Sequence, residues 1–134
     1  MADLFRFELV SPERLVLAAD VQGVQVPGSE GDFGILVGHA PVMSSLRPGI
    51  LEVTTRSGKL KKFYIRGGFS EADPEKLVVL AQQSIDLEEL NKSDLLQEIR
   101  DLEEDVTDAS NDEQRTKAQF ALDRLKELES VLAL

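Results

Sequence analysis

Ile50-Leu51-Glu52-Val53-Thr54-Thr55-Arg56-Ser57-Gly58-Lys59-Leu60-Lys61-Lys62-Phe63-Tyr64-Ile65 is the stretch that decides the first part of the fold. Two partly alternating, β-branched runs flank Ser57-Gly58, and a two-residue turn with Gly between such runs predicts a β-hairpin. Towards the N-terminus, Leu4-Phe5-Arg6-Phe7-Glu8-Leu9-Val10 puts apolar residues at 5, 7 and 9 with charges between, the period of a half-buried strand. Val21, Val24 and Val26 sit in another candidate strand, and the unbroken apolar run Leu77-Val78-Val79-Leu80-Ala81 suits a strand buried on both faces. Glycines at 28, 31, 34, 38, 49, 58, 67 and 68 punctuate these runs. Short strands with frequent turn signals predict a β-sandwich or flattened barrel over residues 1–85.

From residue 86 the period changes. Asp86 with Glu89 has the form of a helix start, an N-cap acid answered one turn later. Leu87, Leu90, Leu95, Leu96, Ile99, Leu102 and Val106 then recur mostly at steps of three and four. A polar connector, Val106 to Asp112, ends in two alternative restart signals, Ser110 with Glu113 or Asn111 with Gln114. Ala118, Ala121, Leu125, Leu128 and Leu132 form a narrow heptad-like seam after it. Two helices of about 20 residues, each ~30 Å long, should fold back on one another. The predicted class is α+β: an N-terminal sandwich or flattened barrel, then a C-terminal antiparallel helical hairpin over residues 86–134.

Charge divides the chain at the same place. Residues 1–85 hold ten acids and nine bases, residues 86–111 ten acids and two bases, and residues 112–134 five acids and four bases. The total of −10 opposes unspecific binding to nucleic acid or anionic lipid. No apolar run approaches the ~20 residues of a membrane span, so no direct membrane insertion is expected. The start, Met1-Ala2-Asp3-Leu4-Phe5-Arg6, has the form of neither a secretory leader nor a transit peptide. Without cysteine there is no disulfide framework or thiol nucleophile, which fits a reducing compartment.

Catalytic constellations are sparse. His39 is the only histidine, and no H-x-x-x-H or G-x-S-x-G spacing accompanies it, so a structural or interface role is expected and no metal site. Glu30 and Asp32 could form an acid–base pair, but two acids in a Gly-rich turn are more often simply solvated. The glycines lack the G-x-x-x-x-G-K-[ST] spacing of a phosphate cradle. Lys59, Lys61 and Lys62 on one hairpin arm read first as protection of an edge strand.

The segment from Gly28 to Gly49, Gly-Ser-Glu-Gly-Asp-Phe-Gly-Ile-Leu-Val-Gly-His-Ala-Pro-Val-Met-Ser-Ser-Leu-Arg-Pro-Gly, resembles the signature of the epsilon (in mitochondria, delta) subunits of F-type ATP synthases. That signature is a G-x-x-G-x-x-G-I-L-x-x-H-A-P core closing in L-x-P-G. Gly67-Gly68-Phe69-Ser70-Glu71 resembles the family's second Gly-Gly element, and the likeness runs over essentially the whole chain. Glycine turns, with Pro41 and Pro48 interrupting sheet pairing, predict an irregular but rigid presenting surface.

The resemblance implies a non-catalytic rotor subunit of a proton-translocating enzyme, with no cofactor of its own. It would sit peripherally on the cytoplasmic face of the bacterial inner membrane. The turn Ser29, Glu30, Gly31 and Asp32 would face the c-subunit ring. Ser11, His39, Ala40, Pro41 and Val42 would face the gamma subunit. Arg115, Lys117, Arg124 and Lys126 on the second helix would be the candidates for contact with acidic loops of the catalytic alpha and beta subunits. Nearby acids offset them, so at most weak inhibition of ATP hydrolysis is expected. Some relatives bind ATP through [IL]-D-x-x-R-A; here Ile85-Asp86 is followed by Leu87-Glu88-Glu89-Leu90, which replaces a phosphate-binding cation with a carboxylate.

Two rival readings share the fold. A free-standing coiled-coil adaptor with a β-sandwich head would be stable alone, without a stoichiometric membrane-complex partner. A small hydrolase using His39 and nearby acids would need a deep polar pocket.

Overall fold

The structure, a computed structural model, describes residues 3–133; Met1, Ala2 and Leu134, which lie within the expected regions, fall outside it. The chain divides into two compact units, Met1–Glu88 and Glu89–Leu134.

Among its described residues the first unit holds nine strands: β1 Phe5–Ser11, β2 Arg14–Gly28, β3 Gly31–Leu36, β4 Val42–Leu46, β5 Gly49–Thr55, β6 Leu60–Ile65, β7 Gly68–Ala72, β8 Lys76–Ala81 and β9 Ser84–Asp86. The alternation read in the first strand is present: Phe5, Phe7 and Leu9 are buried, with Arg6 exposed between them. The strand β2 is 15 residues long and serves both layers. Its first half pairs with β1, from Ser11↔Arg14 to Phe5↔Val21, and its second half pairs with β3 and β5. One layer runs β1-β8-β7-β4 and returns to β2 at Gly28↔Leu46; the other runs from β2 through β5 and β6 to β9. The shared core between them includes Phe7, Leu9, Val24, Leu51, Val53, Phe63, Leu77 and Val79.

Three sequence expectations are corrected here. The segment after Gly28 is mostly sheet: β3 pairs with β2, and β4 pairs with β7. Pro41 stands immediately before β4 and Pro48 immediately before β5, where their missing amides cost no ladder bond, so they delimit strands instead of breaking them. The run at 77–81 is buried on one face only, with Leu77, Val79 and Ala81 inward and Leu80 50% exposed. Asp86 does not start a helix. Ser84, Ile85 and Asp86 pair with Ile65, Tyr64 and Phe63, because β6 offers a free backbone edge there. The Asp86 carboxylate then accepts from the Glu88 amide at 3.0 Å, closing a turn.

The second unit is two helices in contact, α1 Lys92–Asp108 and α2 Asp112–Leu132. Asn91 caps α1 by accepting from the Asp94 amide at 3.1 Å. Of the two restart signals, the structure uses Asn111, which accepts from the Gln114 amide at 2.8 Å. Gln114 answers by accepting from the Ser110 amide and hydroxyl, a reciprocal cap. Leu95, Ile99, Leu122 and Leu128 are buried. Leu122 lies outside the expected seam, whose other members, Ala118, Ala121, Leu125 and Leu132, are half-buried.

Candidate docking surface

Strand registers assemble an apolar outer face on the layer containing β1. Ser45 lies opposite Phe69, Phe69 opposite Leu80, Leu80 opposite Val10, and Val10 opposite Leu15, so these residues form one row across five strands. Two residues along, Met43, Glu71, Val78, Glu8 and Ala18 form the next outward row. Leu15, Met43 and Leu80 are 56%, 65% and 50% exposed. A charged rim borders this second row, where Glu8 pairs with Arg6 at 3.7 Å and with Lys76 at 3.4 Å. An apolar centre with a polar border is the anatomy of a protein interface.

At one end of this layer lies the turn joining β2 to β3, with Ser29, Glu30, Gly31 and Asp32 all exposed. It is tightly built. A Cβ on Gly28 would come within 2.6 Å of the Gly31 carbonyl, and Gly31 itself has φ +137°. The Ser29 amide donates to Ser45 at 2.9 Å and the Arg47 amide donates to Pro27 at 3.1 Å, so this turn and the Arg47-Pro48 turn are stitched together. Arg47 also pairs with Asp32 through its guanidinium. Ser11 is at the same end, its hydroxyl donating to the Arg14 carbonyl at 3.4 Å.

His39, Ala40 and Pro41 are at the opposite end. The Gly38 amide donates to Pro74 at 3.0 Å, and the His39 amide donates to Leu36 at 3.2 Å. The His39 ring Nδ1 lies 2.6 Å from the Ala40 carbonyl. Ser11 and Pro41 are thus offset by five residues along the strands, about 17 Å, and by three strand spacings, about 14 Å. The structure does not gather Ser11 with His39, Ala40 and Pro41; it puts them at diagonal corners of the apolar face. Val42 turns inward and packs against the core, leaving its neighbour Met43 outward.

Residues 4–86 match the family model described as "ATP synthase, Delta/Epsilon chain, beta-sandwich domain". The ATP synthase epsilon chain of Parvibaculum lavamentivorans is 49% identical over 96% of this chain and 97% of its own length. That of Mesorhizobium japonicum is 38% identical over 98% of both chains. This chain belongs to the ATP synthase delta/epsilon family. Its place there is that of an accessory subunit, not a catalytic one. The fold agrees with two solved structures. A chain of the Euglena gracilis mitochondrial ATP synthase, resolved as OSCP/F1/c-ring, superposes with a TM-score of 0.72 at 24% identity, covering 96% of this chain and 81% of that one. A chain of the Tetrahymena thermophila central stalk/c-ring structure superposes at 0.57 with 15% identity, over 97% and 98% of the two chains.

For a delta/epsilon member, the remaining candidate residues are disposed as follows. Ile85 is half-buried in β9, and the Asp86 carboxylate is engaged by Lys61 Nζ at 2.9 Å. Burial alone would raise the Asp86 pKa, but the Lys61 ammonium and the Glu88 amide outweigh it and hold the carboxyl below its ordinary value. Lys61 therefore closes a covered edge, and Lys62 pairs with Glu52 across the hairpin at 3.7 Å. Lys61 and Lys62 thus also act as cross-strand partners, while β9 covers the edge of β6 only from Phe63 to Ile65. On α2, Arg115 pairs with Asp112 at 2.9 Å and Arg124 stacks 4.2 Å from the Phe120 ring centroid. Lys117 lines an open cleft with Asp105, Asp108, Ala118 and Ala121, and Lys126 is exposed on the same helix.

Leu15, Met43, Phe69 and Leu80 escaped the sequence reading as surface residues. A signal existed: Leu77 to Ala81 is apolar on both alternations, which leaves a second apolar face to be covered by something.

Proposed function

We propose that this chain is a central-stalk, rotor subunit of a proton-translocating F-type ATP synthase, joining the gamma subunit to the c-subunit ring. The observation that carries the reading is the outward apolar row of exposed Leu80 and Leu15 and half-buried Phe69 and Val10, with exposed Met43 beside it, a face that a protein partner would cover. Gamma covers this face in the proposal, with Ser11 at one corner and His39, Ala40 and Pro41 at the other. The stitched turn at Ser29 to Asp32 projects from one end towards the polar loops of the c ring.

Residues 1–85 act as the coupling domain and residues 86–134 as a packing or weakly regulatory hairpin. Arg115 and Arg124 are already partnered within α2, so attraction of that helix to the catalytic alpha and beta subunits is small. ATP is not a ligand in this proposal: Asp86 is held by Lys61, and Glu89 stands where relatives carry arginine. The subunit lies on the cytoplasmic face of the inner membrane as a peripheral component. It has no helix, among the described residues, long and apolar enough to cross a membrane.

The test is ATP-driven proton pumping by a synthase depleted of this subunit, with full-length chain added back. Wild type is expected to restore pumping. Leu80→Glu is expected to weaken rebinding about 30-fold, the size of a 2 kcal/mol interface residue. Unimpaired rebinding by this variant would exclude the apolar face as the gamma contact, and failure of wild type to rebind would exclude the stalk assignment. Joint replacement of Arg115, Lys117, Arg124 and Lys126 by alanine is expected to leave the hydrolysis rate within about twofold of wild type, as weak exposed charges allow.

A further inference from the structure

Three contacts of Arg47, with one beside them, tie two turns together. Its amide donates to the Pro27 carbonyl at 3.1 Å, and the neighbouring Ser29 amide donates to Ser45 at 2.9 Å. Its guanidinium pairs with Asp32 and reaches the Pro48 carbonyl at 3.5 Å. Gly49 closes the arrangement: a Cβ there would lie 2.8 Å from the Pro27 ring and 3.2 Å from Arg47 Nη1. Two turns far apart in sequence are therefore held as one block. Of the two acids in the β2–β3 turn, Asp32 is compensated and Glu30, which is exposed, makes no ion pair among the described residues.

We propose that Arg47 is the positioning residue of this turn, holding Asp32 so that Glu30 alone presents an uncompensated charge to the partner. The inference rests on the reading above that this turn meets the polar loops of the c ring. It deepens that reading by dividing the two acids: Asp32 shapes the turn, and Glu30 recognises a cationic or hydrogen-bond-donating group on the partner loop. A fixed guanidinium fork suits the task, because it carries its donors in a rigid plane while a lysine offers a single mobile ammonium. Placing the free charge on a pinned turn also limits the entropy lost on docking.

The two possible roles of Arg47 predict opposite signs. If Arg47 acted only through its charge, removing it would make the turn more negative and strengthen attraction to a cationic loop. If it positions the turn, removal weakens docking despite that extra negative charge.

The experiment titrates full-length variants into a synthase depleted of this subunit and reads the concentration that restores half-maximal ATP-driven proton pumping. Arg47→Ala is expected to raise that concentration roughly three- to fivefold, the range a half-exposed ion pair supports. Arg47→Lys should recover part of the loss. Glu30→Gln should impair to a similar degree and flatten the salt dependence, whereas Arg47→Ala should leave salt dependence at least as steep as wild type. Should Arg47→Ala fail to fold, judged by thermal unfolding, Asp32→Asn loosens the same pair from the other side and is expected to impair more weakly than Glu30→Gln. Wild-type titration by Arg47→Ala with Glu30→Gln impaired would overturn the positioning role while keeping the turn as the contact. A larger loss in Asp32→Asn than in Glu30→Gln would overturn the division between the acids. Wild-type behaviour by all of these variants would remove the turn from the interface altogether.

Discussion

Lys61 Nζ lies 2.9 Å from Asp86 Oδ2, so an acid that has the sequence context of a helix cap instead fastens the last strand to its neighbour. The folded chain holds the Asp86 carboxyl below its ordinary pKa of 3.8, against the opposing effect of burial. Folding is therefore helped by this group above pH 3.8, and the help is lost as pH falls through the lower folded-state value. Lys61→Met is expected to cost about 1 kcal/mol in urea unfolding at neutral pH. The gap between variant and wild type should narrow in acid, below that range. An equal gap at both pH values would assign the loss to other contacts of Lys61, such as the Phe63 ring 5.6 Å away.

Leu77 and Leu80 separate stability from docking. Leu77 is fully buried, so Leu77→Ala is expected to cost about 2–5 kcal/mol. Leu80 is half-exposed, so Leu80→Ala should change stability by less than about 1 kcal/mol while weakening rebinding to a depleted synthase. Thermal unfolding and the rebinding titration, run on both variants, check the pair. A Leu80→Ala protein as unstable as Leu77→Ala would mean the outer face is structural.

Two left-handed glycines should respond very differently to alanine. At Gly68, φ is +135° and a Cβ would lie 2.0 Å from the Leu80 carbonyl oxygen, which is backbone and has nowhere to move. Gly68→Ala is expected to cost about 3 kcal/mol or more, measured as loss of folded protein in urea. At Gly38, φ is +77° with nothing within 4 Å, so Gly38→Ala should cost only the left-handed strain, about 1–2 kcal/mol.

Asn111 caps α2 through its own side chain, while Ser110 contributes through Gln114. Asn111→Ala is expected to lower hairpin stability by about 1 kcal/mol, and Asn111→Asp to preserve it. Helical circular dichroism during urea unfolding is the check. A larger loss in Ser110→Ala than in Asn111→Ala would reverse the assignment of the cap.

Much of the fold was legible before any coordinates. Alternation at Phe5, Phe7 and Leu9, the hairpin around Ser57-Gly58, and the three- and four-residue steps from Leu95 to Ile99 are properties of neighbouring residues, and local periodicity reports them directly. The family was legible too, because its motif is short and contiguous between Gly28 and Gly49. The pairing of β3 and β4 was not legible. Glycines and prolines in that segment look like breakers, and only the remote partners on β2 and β7 turn it into sheet.

The same limit explains Asp86 and the apolar face. Along the chain, Asp86 precedes an amphipathic run and looks like its cap; in the fold, Lys61 is 25 positions away in sequence and 2.9 Å away in space. Likewise the run at 77–81 shows that both sides of a strand are apolar, but not which side the second layer covers. By itself the sequence determined the order of the two regions, the strands and helices with a clear local period, and the family, since these depend on contiguous residues. The tertiary structure decided which edges pair, which charges meet and which apolar row stays open, since each depends on residues brought together only by folding.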